Sequence, residues 1–180
     1  DLRGWRHDRP LAQVAWQNGC SIFSARAVTM APSPTATPDV VAATLVARAR
    51  VAQREFETWT QQRVDEAVTA AAWAIVEPGR NRALAERAVR DTGLGDVADK
   101  IAKNRRKTIG LLRDLHGAKS VGVISADPAR GLVEIARPVG VVAAITPSTN
   151  PGATPANNII NALKGRNAIV LAPSPKGQST

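Results

Sequence analysis

The sequence predicts an α/β protein in which amino-terminal helices and a β-hairpin lead into a parallel sheet. Three observations carry that prediction. Residues 38–115 repeat apolar side chains every three or four positions, the spacing of one helical face. Residues 120–137 change to two short β-type runs separated by the turn-rich ADPARG. Residues 138–180, PVGVVAAITPSTNPGATPANNIINALKGRNAIVLAPSPKGQST, then read as a strand, a polar turn, a helix and a second strand, ending where such a unit would continue.

The first helix is expected over about 38–56. Thr37 offers a capping hydroxyl, Pro38 fits the first helical position, and Asp39 suits the positive end of the helix dipole. Val41, Leu45, Ala49, Ala52 and Phe56 fall on its apolar face. A second helix, Thr60 to Glu77, carries Val64, Val68, Ala71 and Ile75 and is stopped by Pro78 and Gly79. The third, Asn81 to Thr92, is closed by Gly93, and the fourth runs from Gly95 to Leu115 with Val97, Ile101, Leu112 and Leu115 among its apolar positions and Gly117 beyond.

Ser120 to Ser125 and Leu132 to Arg137 form the expected hairpin. Val139 to Ile145 is almost wholly apolar, so it is expected to be a strand buried on both faces, as in a parallel sheet covered by helices. Pro155 to Lys164 is the crossover helix, Gly165 its end, and Ala168 to Leu171 the next strand. Such a crossover is expected to be right-handed.

The implied organisation is an upstream or disordered leader over 1–29, a helical amino-terminal region over 30–117, a hairpin over 118–137 and the truncated start of a dinucleotide-binding domain over 138–180. Residues 1–29 lack the apolar core and cleavage site of a secretory signal, and Met30, the single methionine, is the expected start of translation, with a poorly ordered targeting or linker segment over 1–29 as the rival reading. PSPTATP at 32–38 reads as a short linker. One βαβ unit is fewer than an open sheet needs to hold a dinucleotide, so a carboxy-terminal truncation is expected.

With 24 basic and 15 acidic residues the chain carries a net charge of +9, which suits an anionic cofactor or substrate, or nucleic acid. Cys20 is the single cysteine, so no internal disulfide can form, and a reducing, cytoplasmic location is expected. No apolar run approaches the roughly 20 residues that span a bilayer. Membrane partners are therefore not expected.

Several sequence signals have bland readings that outweigh the chemical ones. Gly93-Leu94-Gly95-Asp96-Val97-Ala98 fits a dinucleotide fingerprint formally, but it follows a helix instead of a strand, and its glycines read better as a helix end. Lys103-Asn104-Arg105-Arg106-Lys107 reads as a solvated helix face, since no aromatic residues interleave with it to stack bases. A basic helical module binding nucleic acid through this cluster is the alternative kept from another functional class. His7 and His116 stand too far from other ligands to hold a metal, and Cys20 has no base or elbow motif around it.

The turn Thr146-Pro147-Ser148-Thr149-Asn150-Pro151 stands apart because it lies at the carboxyl end of a parallel strand, where open α/β sheets bind ligands. Asn150 offers an amide that can stabilise an oxyanion without carrying a charge, while the hydroxyls of Thr146, Ser148 and Thr149 can bind a ligand or cap backbone. The same residue types also make ordinary turns. Residues alone leave the two readings level.

At these residues the chain resembles the aldehyde dehydrogenase superfamily and its CoA-acylating branch. The resemblance rests on ARPVGVVAAITPSTNPGATPANNIINALKGRNAIVLAPSPKG, residues 136–177, and extends over residues 30–180. It implies an aldehyde dehydrogenase-like fold in which these helices and hairpin lead into a truncated Rossmann-like sheet. It also implies oxidation of a small aldehyde by NAD or NADP through a cysteine thioester, with coenzyme A as acceptor. Sulfoacetaldehyde is the favoured substrate, with acetaldehyde and succinate semialdehyde as alternatives, and a homo-oligomer is expected. Asn150 matches the family's oxyanion-holding asparagine. Thr146, Pro147, Ser148 and Thr149 match the loop at the nicotinamide side of the cofactor, and Ala172, Pro173, Ser174 and Pro175 the loop near its adenosine ribose. Many hydrolytic relatives have a lysine and a glutamate where this chain has Ala172 and Pro175, a departure that suits the acylating branch. The nucleophilic cysteine is expected beyond residue 180, leaving the fragment itself inert.

Overall fold

The structure, a computed structural model, describes residues 37–180. The expectations for the leader, His7, Cys20, Met30 and most of the linker lie outside the described residues. The described residues fall in two units that divide after Val41. Of the first, the described part is Thr37 and the opening turn of a helix, where the Val41 amide donates to the Thr37 carbonyl at 3.1 Å.

That helix, α1, spans Pro38–Phe56, and α2 (Gln61–Val76), α3 (Pro78–Thr92) and α4 (Val97–Leu115) follow it. Local chemistry fixes their ends. Thr60 caps α2 through its hydroxyl, Asp96 accepts from the Ala98 and Asp99 amides at the start of α4, and Gly93 closes α3 in the left-handed conformation at φ 66°. Gly93 and Gly95 thus act as turn residues between helices.

Three helical expectations change. α3 begins at Pro78, not Asn81, because Glu77 ends α2 and also caps α3, its carboxylate accepting from the Gly79 and Arg80 amides. Pro78 and Gly79 therefore start a helix instead of separating two. On α2 the buried face is Val64, Ala67, Val68, Ala72 and Val76, while Ala71 and Ile75 are half-buried. The four-residue spacing from Val64 to Val76 turns this stripe toward α4 and the crossover helix. The apolar stripe of α1 is only partly covered: Leu45 and Ala52 are exposed, Val41, Ala49 and Phe56 are half-buried, Gln53 is buried, and Phe56 packs edge-on against Trp59 beside the core.

The hairpin strands β1 (Gly122–Asp127) and β2 (Leu132–Ala136) pair antiparallel, with a register shift between Val123 and Ser125. The turn is closed by Asp127, whose carboxylate accepts from the Arg130 amide, and by Gly131 at φ 65°. β3 (Val141–Thr146), α5 (Ala153–Lys164) and β4 (Ala168–Pro173) form the expected βαβ unit, with β3 and β4 parallel from Val141–Ala168 to Thr146–Pro173. The fold is α/β, as the sequence predicts.

The expectation that β3 is buried on both faces fails. Ile145 is 87% exposed, and Val139, just before the strand, is 82% exposed. α5 lies against both strands, and among the described residues the two strands form a sheet of their own with one uncovered face. The core instead sits among the helices: Val64, Val68, Ala72 and Ile160 cluster, with Leu111, Leu112, Leu115 and Leu163 packed around them. Arg166 ties this layer to its neighbours. At φ 56° it turns the chain from α5 into β4, and its guanidinium donates to the Glu57 carbonyl at 2.7 Å and the Ala136 carbonyl at 3.1 Å.

Candidate functional site at the carboxyl edge of the parallel strands

Parallel pairing brings the two predicted loops together. Thr146 stands opposite Pro173, the Ser174 amide donates to the Thr146 carbonyl at 3.1 Å, and Gly177 lies so near Pro151 that an added Cβ would sit 2.7 Å from the proline Cβ. Side-chain-free backbone at Gly177 is what lets the loops touch.

The predicted residues are placed unequally. Pro147, Thr149, Ala172, Pro173 and Pro175 are exposed at the edge, and Ser148, Asn150 and Ser174 are half-buried. Thr146 is 3% exposed and faces inward, so it packs beneath the loop. The Asn150 carbonyl accepts from the Thr154 amide at 3.2 Å, which ties the turn to the first turn of α5. Its side-chain amide has no hydrogen-bond partner among the described residues. A shallow cleft beside the second loop is lined by Asp91, Pro175, Lys176, Gln178 and Ser179, and Ser179 hydrogen-bonds Asp91.

A polar network beneath the turn was not anticipated from sequence. Lys100 on α4 is 9% exposed and its Nζ donates to the Thr149 carbonyl at 3.2 Å. Burial, and then the neighbouring Lys103, hold its pKa below the ordinary lysine value of 10.5. Asn104, one turn on and 4% exposed, donates to Asn81 Oδ1 at 3.0 Å, and Asn81 in turn donates to the Ile101 carbonyl at 3.0 Å. The Asn104 amide lies where a Gly152 Cβ would point, 3.3 Å from Oδ1. Asn104 therefore leaves the solvated face expected for residues 103–107, while Arg105, Arg106 and Lys107 remain exposed. The signal available in the sequence was the four-residue spacing of Lys100, Asn104 and Thr108, which places all three on one face.

The edge offers open loop surface, the Lys176 cation, and the amino end of α5, where no side chain caps the helix. Among the described residues no group of three or more His, Cys, Asp or Glu could hold a metal, and no helix is long and apolar enough to cross a membrane.

A parallel βαβ unit with polar loops at its carboxyl edge belongs to the class of open α/β sheets that bind ligands there. The chain belongs to the aldehyde dehydrogenase family: the family's model matches residues 22–180. It is 72% identical over 145 residues to the acylating sulfoacetaldehyde dehydrogenase of Cupriavidus necator, covering 81% of this chain and 29% of that protein. Among solved structures, an acetylating aldehyde dehydrogenase from Geobacillus thermoglucosidasius matches with TM-score 0.72 and 38% identity, over 75% of this chain and 29% of the other. A propionaldehyde dehydrogenase from Rhodopseudomonas palustris, with bound CoA and an acylated cysteine, matches with TM-score 0.62 and 27% identity, over 76% and 30%. The chain thus spans about three-tenths of the length of these relatives.

Proposed function

We propose that the full-length protein is an NAD(P)-dependent, CoA-acylating aldehyde dehydrogenase acting on a small aldehyde, with sulfoacetaldehyde as the preferred substrate. The observation that carries this reading is the 72% identity to the Cupriavidus necator enzyme. Acetaldehyde and succinate semialdehyde are the competing substrates.

Asn150 is assigned the oxyanion. When a thiolate, supplied by a cysteine in the remainder of the protein, adds to the aldehyde carbon, the carbonyl oxygen becomes an alkoxide. The Asn150 amide donates to it without a titrating charge. NAD(P)+, if bound at this edge, would supply the two-electron oxidation by accepting the hydride, and CoA would be the thiol that takes the acyl group from the cysteine. Pro147, Ser148 and Thr149 would hold the nicotinamide side, with Thr146 as the buried base of that loop. Ala172, Pro173, Ser174 and Pro175 line the ribose side. The absence of a carboxylate at these last positions leaves either nucleotide acceptable.

The location is taken as cytoplasmic. A homo-oligomer is supported by the hairpin, whose Val123, Ile124, Leu132, Val133 and Ile135 are all exposed. The test of the function uses the full-length enzyme with NAD+ or NADP+, CoA and each of the three aldehydes, compared by kcat/KM. Acyl-CoA formation with sulfoacetaldehyde leading is the expected result. Equal turnover with CoA omitted would sink the acylating assignment, and a lead for another aldehyde would sink the substrate.

A further inference from the structure

We infer that Lys100, Asn104 and Asn81 are positioning residues that hold the Thr149–Gly152 turn at both of its ends and so fix the direction of the Asn150 amide. This rests on the assignment of the oxyanion to Asn150. The turn has two supports from α4. Before Asn150, the Lys100 ammonium donates to the Thr149 carbonyl. After it, the Asn104 carboxamide fills the space beside Gly152 that any other residue would occupy with its Cβ.

Each support is itself fixed. Lys100 reaches the carbonyl from a buried stem, its Cε lying 3.5 Å from the position of a Cβ on Gly95. A buried ammonium needs acceptors, and Thr149 is the acceptor it has, so chain and cation hold each other. Asn104 cannot rotate freely, because its Nδ2 is engaged by Asn81 Oδ1 while Asn81 Nδ2 is engaged by the Ile101 carbonyl. Two hydrogen bonds thus join Ile101, Asn81 and Asn104, and Asn104 meets Gly152 by packing, which links α3 and α4 to the turn. An oxyanion donor stabilises a transition state only when it is aimed beforehand, and a misplacement of about 1 Å from a residue outside the reaction can cost roughly 100-fold in rate.

The test compares Lys100→Met, Lys100→Arg and, as an outward-facing control on the same helix, Arg105→Ala in the full-length enzyme. Lys100→Met is expected to lower kcat at least about tenfold with little change in aldehyde KM, Lys100→Arg to recover part of the loss, and Arg105→Ala to match wild type. In an Asn150→Ala background the Lys100→Met loss should vanish, since both changes then remove one interaction. A Lys100→Met enzyme with unchanged kcat, or an undiminished loss in that background, overturns the inference. Hydrogen exchange gives a readout independent of chemistry. The Thr154 and Ala156 amides, bonded to the Asn150 and Gly152 carbonyls, should exchange faster in Lys100→Met while α2 does not. If wild type makes no acyl-CoA, the functional reading falls and the exchange result alone decides the clamp; unchanged protection there overturns it.

Discussion

The two strand pairs of this chain are held in different ways. β1 and β2 leave Val123, Ile124, Leu132, Val133 and Ile135 exposed, and their order comes from ladder hydrogen bonds, the Asp127–Gly131 turn and the Arg166 guanidinium at the Ala136 carbonyl. β3 and β4 rest on α5, whose Ile160 is 1% exposed among Val64, Val68 and Ala72. The hairpin is tethered by backbone, whereas the βαβ unit is seated by side chains. A catalytic amide needs the second kind of support, because seated elements cannot shift without losing contacts. The polar clamp on the turn continues that support to the site.

Ile160→Ala should have the largest effect on stability. A buried isoleucine cut to alanine costs about 2–5 kcal/mol, read by denaturant unfolding with unchanged m-value. A loss below about 1 kcal/mol would show that the parallel pair is no better seated than the hairpin.

Next comes acid sensitivity at the α2–α3 junction, which carries Asn81 one turn beyond it. The Gly79 and Arg80 amides, which donate to the Glu77 carboxylate, hold its pKa below 4.5. Since the folded state binds the proton less tightly, this cap contributes stability above the ordinary carboxylate pKa and loses it as pH falls through the depressed value. Unfolding of wild type against Glu77→Gln should differ at neutral pH and converge in acid. A constant difference across that range would remove Glu77 as the titrating cap.

The smallest effect belongs to the hairpin. Ile135→Thr should change the stability of the isolated chain by no more than about 0.5 kcal/mol, as exposed substitutions do. A loss approaching that of Ile160→Ala in the monomeric chain would mean the strand face packs against the chain's own residues, and the contrast between the two regions would fail.

How much of this was legible depends on the range of the interaction. Thr60, Asp96 and Gly93 announce helix ends because a cap is a contact within three residues, and the parallel pairing of Val141–Thr146 with Ala168–Pro173 follows from two apolar runs joined by a helix. The cover on β3 was misread because apolar composition states what a face would bury, not what lies against it. Glu77 was missed as a double cap because Pro78-Gly79 reads equally as a break or a start. Lys100 and Asn104 were hidden for a different reason. A lysine within a basic run carries the same signature whether it points to water or to a carbonyl 49 residues along the chain. Asn150 stood out since its strand-end position is a local fact, and the loops at 146–150 and 172–175 do meet as their strand ends imply.

Whether the clamped turn presents Asn150 to the oxyanion is read from single-turnover kinetics of Asn150→Ala in the full-length enzyme. NAD(P)H formation on mixing with sulfoacetaldehyde is expected to slow by about 100- to 1,000-fold, as for loss of an oxyanion donor, while nucleotide affinity holds. Formation of reduced nucleotide at the wild-type rate would contradict that role for Asn150.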